Sequence, residues 1–190
     1  MKRTPATEYA LLGTLISGPM HGYEILQFLN NAFDITWYVS ISQLYVLLKK
    51  LERDGLVTST IQAQDTRPSK RVFSLTPGGK KAFSSWLHAP SQHVRDLRIE
   101  FLAKLFFFQR FSLKGAEELI EAQVRILETS RNVILNNQET TKDSYKKLVF
   151  GFKLATVNSW LQWLRNQARP FVEQNRNRFA HKEVEAEGKQ

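Results

Sequence analysis

The sequence predicts a mainly α-helical protein: an N-terminal winged helix-turn-helix of three helices and a β-hairpin wing, followed by an α-helical dimerisation domain. In the first half, short helical patterns alternate with turn signals, and two strand-like runs flank a polar stretch. The second half consists of long helical patterns with few breakers. These changes in periodicity place the winged helix at residues 1–88, the helical domain at 95–180 and a charged, disordered tail at 181–190.

Composition restricts the class of protein. The 190 residues carry a net charge of +9 and no cysteine, which excludes disulfides, thiolate nucleophiles and cysteine-based zinc sites. The chain has neither the apolar core of a signal peptide nor a run of roughly 18 apolar residues, so we expect a cytoplasmic protein without a membrane partner. Basic side chains outnumber acidic ones between Ser42 and Lys81. This excess favours a polyanionic partner, although ordinary solubilising charges would give the same count.

Two helices are predicted before residue 32. Thr4-Pro5 is typical of a helix cap followed by proline at the first helical position, and residues 9–16 are apolar almost throughout. Gly18-Pro19 ends this helix, and a second, amphipathic helix begins near Met20 or His21, where we expect His21 to be a capping or turn residue. We expect Asn30-Asn31 to stop it.

The third helix is the most informative element. Ser42 is predicted to cap it, and a left-handed Gly55 is predicted to end it. Four leucines repeat at helical spacing and form a core-facing stripe, namely Leu44, Leu47, Leu48 and Leu51. The opposite face is short, polar and basic, and it consists of Ser42, Val46, Lys49 and Arg53, flanked by Gln43, Tyr45 and Lys50.

A β-hairpin is predicted after this helix. Residues 56–62 and 71–75 carry β-branched or apolar side chains at alternating positions, and the polar stretch between them contains Pro68. Thr76-Pro77 repeats the cap-and-proline signal and opens a fourth helix that runs to about Leu87. Together these elements predict a winged helix-turn-helix with an exposed basic wing tip.

Several segments of the first half stand in a recognisable order and spacing. They read ALLG at 10–13, GPMHGYEI at 18–25, SQLY at 42–45, DGLV at 54–57 and LTPGG at 75–79. In this arrangement residues 4–88 resemble the PadR family of bacterial transcriptional regulators, except that Val46 replaces the family's usual proline and Phe73 a common tyrosine. Residues 95–105, RDLRIEFLAKL, resemble more loosely the start of the helical domain in the virulence-activator branch of that family.

This resemblance and the geometry of DNA predict the nucleic-acid contacts. A helix fits the major groove and reads base edges there, whereas basic side chains on phosphates fix its register. We assign base or sugar contacts to Ser42, Gln43, Tyr45 and Val46. Phosphate contacts are assigned to Lys49, Lys50 and Arg53, and the resemblance implies that the wing reaches an adjacent groove through Arg67, Lys70 and Arg71.

Two alternatives stay open for these residues. Tyr45 could instead pack against the second helix, and the lysines could be solvated surface charges. The resulting prediction is a sequence-specific DNA-binding regulator, in the first instance a repressor. A winged helix that binds proteins without DNA is the alternative, and it would show an acidic or apolar face on the third helix.

The second half predicts a homodimer. A heptad-like seam runs from Leu113 to Ile134, and a long helix over about residues 142–169 carries two apolar stripes that one chain of this size would struggle to bury. A second subunit would cover the extra stripe and would match a palindromic operator. A self-contained bundle is the alternative. The predicted dimerisation residues are Ile120, Leu127, Ile134, Phe152, Trp160 and Trp163.

A small aromatic effector and the absence of enzymatic chemistry complete the predictions. Aromatic side chains could stack a planar molecule, as the resemblance to phenolic-acid and multidrug-responsive regulators implies, although core packing is more common for them. The predicted effector residues are Trp37, Tyr38, Phe101 and Trp160. Nucleophile-elbow and glycine-rich phosphate motifs are missing, and the histidines lack metal-ligand partners at a usable spacing. We therefore expect no enzyme, no cofactor and no metal.

Overall fold

A computed structural model describes residues 6–62 and 70–175. The chain forms two compact units. The first unit runs up to Leu87 and includes Arg98–Ala103, and the second contains His88–Leu97 and the residues from Lys104 onward. The segment Arg98–Ala103 lies in the part of the sequence that we assigned to the helical domain, yet it clusters with the first unit.

The first unit is the predicted winged helix. Its helices are α1 (Ala6–Thr14), which continues into a 3-10 turn at Leu15–Ser17, α2 (Gly22–Phe33), α3 (Ile41–Arg53) and α4 (Pro77–His88). The Thr4-Pro5 cap lies outside the described residues. At the start of α4, the hydroxyl of Thr76 accepts a hydrogen bond from the Gly79 N–H at 3.0 Å, so the predicted cap is confirmed.

The predicted stop of the second helix at Asn30-Asn31 was wrong, because α2 continues to Phe33. The Asn30 side chain makes a tertiary contact instead of a turn. Its Nδ2 donates to the Val39 carbonyl at 3.2 Å, and its Oδ1 accepts from the Val39 N–H at 3.1 Å. These two bonds tie the connection before α3 to α2.

The wing is part of a three-stranded antiparallel sheet. The strands are β1 (Met20–His21), β2 (Val57–Gln62) and β3 (Lys70–Leu75), in the order β1-β3-β2. The hairpin of β2 and β3 is confirmed, with Val57 opposite Leu75 and Gln62 opposite Lys70. The sequence did not reveal β1, since two residues are too short to show an alternating pattern.

Buried side chains at helical spacing form the core of the first unit. The leucine stripe of α3 is buried except for Leu47, which is half-buried, and Phe73 of β3 is buried as well. The ring of Tyr9 stacks on Trp86 with centroids 5.1 Å apart, so α1 and α4 are held together. Within this unit α3 therefore has one fully buried face and one free face.

The second unit is helical. It contains most of α5 (Leu102–Arg110), which follows a 3-10 turn at Val94–Asp96 and a π-turn at Leu97–Phe101, and then α6 (Ala116–Thr140) and α7 (Ser144–Trp163). A second π-turn at Leu164–Ala168 leads into helical residues 169–175. Helix α6 starts three residues after Leu113, where the predicted seam begins, because Gly115 adopts a φ of 108° that ends the preceding connection.

The predicted seam of α6 lies inside the chain. Ile120 and Leu127 are each 1% exposed, so their assignment to a dimer contact was wrong. The polar seam residue Gln123 is buried too, and it is satisfied locally: its Oε1 accepts from the Ser91 N–H at 2.7 Å and its Nε2 donates to the Ser91 carbonyl at 3.0 Å. The seam therefore pairs α6 with its own unit.

Helices α6 and α7 form an antiparallel pair. Near their connection Gln138 Nε2 donates to the Lys147 carbonyl at 3.3 Å, and further along Arg165 forms an ion pair with Glu128. Within the described part of the chain, none of the helices combines the length and apolarity that a membrane crossing requires.

Candidate nucleic-acid interface

A capping box fixes the start of α3. The Ser40 hydroxyl accepts from the Gln43 N–H at 3.3 Å, and Gln43 Oε1 accepts from the Ser40 N–H at 3.1 Å. The prediction that Ser42 caps the helix was wrong, since Ser40 does so. Ser42 lies in the first turn with its side chain exposed, where it is available to a ligand.

The face of α3 that is predicted to contact DNA, which we call the reading face, is exposed at the N-terminal end of the helix. Val46 is 70% exposed and Tyr45 is 48% exposed. The exposed residues predicted to contact DNA on this helix are Ser42, Gln43, Tyr45, Val46, Lys49 and Arg53.

Tyr45 packs against the second helix, which is one of the two alternatives that the sequence left open, and its contact with DNA stays a prediction. A Cβ atom placed on Gly22 would lie 2.6 Å from the Tyr45 hydroxyl, so the ring packs directly over the start of α2. The absence of a side chain at Gly22 makes this approach possible. Its neighbour His21 caps α2 by accepting from the Glu24 N–H at 3.3 Å, which confirms the expectation for that residue.

Lys49 and Lys50 differ in their surroundings. Lys50 Nζ lies 2.6 Å from both carboxylate oxygens of Glu8, whose side chain is only 4% exposed. Removing the ammonium group to bind a phosphate would leave a buried carboxylate without a partner. Lys50 is therefore engaged by Glu8, whereas Lys49 is exposed. The assignment of Lys50 to a phosphate contact stays a prediction.

Arg71 of the wing is held against α3. Its Nη2 lies 2.6 Å from Glu52 Oε2, and its Nε donates to Ser59 Oγ at 2.8 Å. Ser59 Oγ in turn donates to Glu52 Oε1 at 2.5 Å. The hydrogen bond from Ser59 and the charge of Arg71 hold the pKa of Glu52 below its usual value. Arg71 therefore clamps the hairpin to α3 and has little freedom to bind DNA.

Two further wing residues, Lys70 and Arg67, were predicted to contact DNA. Lys70 begins β3 and is half-buried. Arg67 lies outside the described residues. In the described part of the wing, the clamp links the hairpin to α3.

A cavity of about 410 Å³ lies beside the reading face, within the first unit. Trp37 stacks on Phe33 with centroids 4.2 Å apart, and its buried Nε1 has no hydrogen-bond partner in the described part of the chain. The cavity is lined by Thr7, Trp37, Tyr38, Val39, Ser42, Gln43, Val46 and Leu47.

Of the four predicted effector residues, two line this cavity. They are Trp37 and Tyr38. Phe101 is fully buried, so its assignment to an effector site was wrong. Trp160 belongs to the second unit, where it meets Trp163 edge-on with centroids 5.5 Å apart.

The second unit has an apolar surface of its own, on α7. One stripe of this helix is buried, as Val157 and Leu161 illustrate. On another side Tyr145, Leu148 and Phe152 are 71%, 70% and 73% exposed. Trp160 and Trp163 are half-buried, as is Ile134 of α6. We call Tyr145, Leu148 and Phe152 the α7 apolar stripe.

The fold of the first unit and the exposed face of α3 are those of a winged helix-turn-helix protein. Residues 11–85 match the model of the transcriptional regulator PadR-like family. The negative transcriptional regulator PadR of Bacillus subtilis is 30% identical over 118 residues, which are 62% of this chain and 65% of that protein. A probable transcriptional regulator of Mycobacterium tuberculosis is 26% identical over 93 residues, which are 49% of each chain.

The chain therefore spans 49% to 65% of the length of these curated relatives. A solved structure of Bacillus subtilis PadR in complex with operator DNA aligns with 88% of this chain and 98% of that chain, at 24% identity and a TM-score of 0.47. The assignment of the second half to the virulence-activator branch stays a prediction.

Proposed function

We propose that this protein is a sequence-specific DNA-binding transcriptional regulator that represses its targets as a homodimer. The exposed N-terminal end of α3 carries the proposal. A buried leucine face anchors this helix, and the opposite face offers polar, apolar and basic groups to the solvent. A helix presented in this way fits the major groove of DNA. The similarity to a protein named as a negative regulator supports the repressor assignment.

The described contacts refine the proposed roles along α3. Ser42, Gln43 and Val46 read base edges, and Tyr45 reaches the sugar edge from its position over Gly22. Lys49 and Arg53 bind phosphates, which positions the helix and supplies affinity that is independent of sequence. Wing contacts by Lys70 and Arg67 belong to this proposal as well.

A homodimer through the second unit is the next part of the proposal. The α7 apolar stripe exposes three large side chains along one helix, and a monomer gains nothing from leaving them in water. In a homodimer the same stripe of a second copy would cover it, because an isologous contact uses the same surface on both subunits. Ile134, Trp160 and Trp163 stay in the proposed contact because each keeps part of its surface exposed.

A planar aromatic effector is proposed to bind in the cavity beside α3. Trp37 supplies a ring face and an N–H donor that has no partner among residues 6–62 and 70–175, and Tyr38 supplies a second, exposed ring. Gln43 and Val46 also line this cavity. A ligand bound there would occupy side chains that the operator needs, so binding of the effector and of DNA would compete.

A winged helix that binds proteins is the second candidate. The observation in its favour is the exposed apolar surface of α3, where Tyr45 and Val46 are joined by Ile41. Exposed Lys49 and Arg53 on the same helix favour DNA. Salt dependence distinguishes the two, because affinity for phosphates falls steeply with salt.

The deciding experiment is a binding titration at two salt concentrations. The purified chain is titrated against DNA from upstream of its own gene and against random DNA as competitor. We expect competitor-resistant binding to the upstream DNA that weakens as salt is raised. Absence of salt-dependent affinity for any DNA would overturn the proposal in favour of a protein partner.

A further inference from the structure

The Gln43 side chain presents only a hydrogen-bond donor to a partner. Its Oε1 accepts from the Ser40 N–H at 3.1 Å and from Ser40 Oγ at 3.2 Å. An amide oxygen has two lone pairs, so the capping box occupies both. In the described part of the chain Nε2 of Gln43 has no hydrogen-bond partner, and the side chain is exposed.

This arrangement restricts which bases Gln43 can read. A glutamine that recognises adenine uses both of its groups, since Nε2 donates to N7 and Oε1 accepts from the N6 amino group. The occupied Oε1 of Gln43 cannot accept the second bond. Gln43 is left with single acceptors in the major groove, such as O4 of thymine or O6 and N7 of guanine.

Val46 adds an apolar group to the same surface. It lies one helical turn after Gln43, it is 70% exposed, and both residues line the cavity with Trp37 and Tyr38. Side chains at this spacing lie about 5–6 Å apart, which corresponds to one or two base-pair steps. The apolar group that the base edges offer in the major groove is the C5-methyl of thymine.

We infer that Gln43 and Val46 together select thymine in each operator half-site: Val46 contacts the C5-methyl group, and the Gln43 Nε2 donates to an acceptor such as O4. The inference rests on the proposed DNA-binding function and assigns its specificity. It also states what Gln43 does not do, which is to make the paired contact with adenine.

Removal of the thymine methyl group tests Val46. The operator is first selected from a random DNA library with the wild-type protein, and each thymine is then replaced by uracil. We expect wild-type affinity to fall about fourfold at one or two positions of each half-site, as the loss of one buried methyl group implies. Val46→Ala should bind the thymine and uracil operators alike at those positions. A Val46→Ala protein that keeps the wild-type preference for thymine over uracil would overturn the inference.

Gln43→Glu tests the donor without disturbing the cap. A glutamate still accepts from Ser40, as in the common form of the capping box, but it has no Nε2 donor. We expect unchanged thermal unfolding and the loss of about a fivefold base preference at one position of the half-site. Lys49→Ala is the matched control, because it changes the net charge by the same amount. It should lower affinity for all sequences and leave the preference intact.

The outcomes separate this inference from the function on which it rests. If the wild-type protein selects no sequence from the library, the proposed function is overturned and the inference with it. If it selects an operator but ignores the change from thymine to uracil, the inference alone fails. A preference for adenine over guanine that Gln43→Glu abolishes would also contradict it, since a single donor on N7 does not distinguish the two purines and the second bond, from the adenine N6 amino group, requires a free Oε1.

Discussion

At the residue scale, two adjacent lysines of α3 lie in different surroundings, because a carboxylate far away in the sequence pairs with one of them. Glu8 of α1 holds Lys50 at 2.6 Å, while Lys49 lies exposed. Lys50→Ala should destabilise the protein by about 2 kcal/mol, since it leaves Glu8 buried without its partner. Urea unfolding measures this loss. In the double variant Glu8→Ala/Lys50→Ala part of the stability should return, and strictly additive losses would contradict the pairing.

Lys49→Ala should show the reverse behaviour. Its free energy of unfolding should stay within about 0.5 kcal/mol of wild type, because an exposed side chain with no partner among the described residues contributes little. Its affinity for all DNA sequences should fall, and the slope of log affinity against log salt should decrease by about 1. Titrations at several salt concentrations measure that slope. An unchanged slope would show that Lys49 does not contact a phosphate.

The sequence could predict the exposed face of α3 but not the partners of its residues. Helical spacing distinguishes the buried leucines from Lys49 and Arg53, and that prediction needed no tertiary information. The partner of Lys50 lies 42 positions away in the chain, and no local pattern reveals such a contact. The capping box was available as a signal, because serine followed three residues later by glutamine is typical of a helix start. It would have placed the cap at Ser40 and shown that Gln43 is partly engaged.

At the scale of the elements, the wing is fixed to α3 by the clamp of Arg71, Glu52 and Ser59. The hydrogen bond from Ser59 and the charge of Arg71 lower the pKa of Glu52 in the folded state. The unfolded state therefore binds more protons between the two pKa values, and stability rises with pH in that range. The contribution of the clamp is complete above the unfolded pKa of about 4.3 and is lost as the pH falls through the lower, folded value.

Glu52→Gln should remove this pH dependence. Between about pH 5 and pH 3 the wild type should lose more stability than the variant, because only the wild type must protonate a stabilised carboxylate. Urea unfolding at several pH values compares the two proteins. Asp54→Asn is the matched control, since Asp54 pairs with Arg53 at the exposed end of α3. Parallel losses for wild type and Glu52→Gln would contradict the role of the clamp.

At the scale of the whole molecule, the apolar patterning of α7 was informative and that of α6 was misleading. Two stripes on α7 predicted that one chain would not bury both, and the structure buries Val157 and Leu161 while Tyr145 and Phe152 stay exposed. The heptad-like seam of α6 does pair with a helix, but that helix belongs to the same chain. Periodicity shows that an apolar helix face must pack against another helix, but it does not show whether that helix belongs to the same chain or to a second copy.

The α7 apolar stripe therefore provides the sharpest test of the homodimer. Phe152 is 73% exposed, so Phe152→Glu should leave the fold of one chain intact and place two carboxylates in the contact of the pair, where like charges repel. We expect the dissociation constant of the dimer to rise at least about tenfold, as a cost of about 1.4 kcal/mol or more implies. Sedimentation velocity across a concentration series measures this change.

Asn158→Glu supplies the control, since it adds the same charge at an exposed polar position of α7. It should leave the dimer unchanged. Affinity for a palindromic operator should then fall for Phe152→Glu only, because two linked DNA-binding domains bind far more tightly than one. Affinity for a single half-site should be the same in both variants, since the reading face of α3 is untouched. A Phe152→Glu protein that remains a dimer with full operator affinity would place the subunit contact elsewhere and leave the α7 apolar stripe without this role.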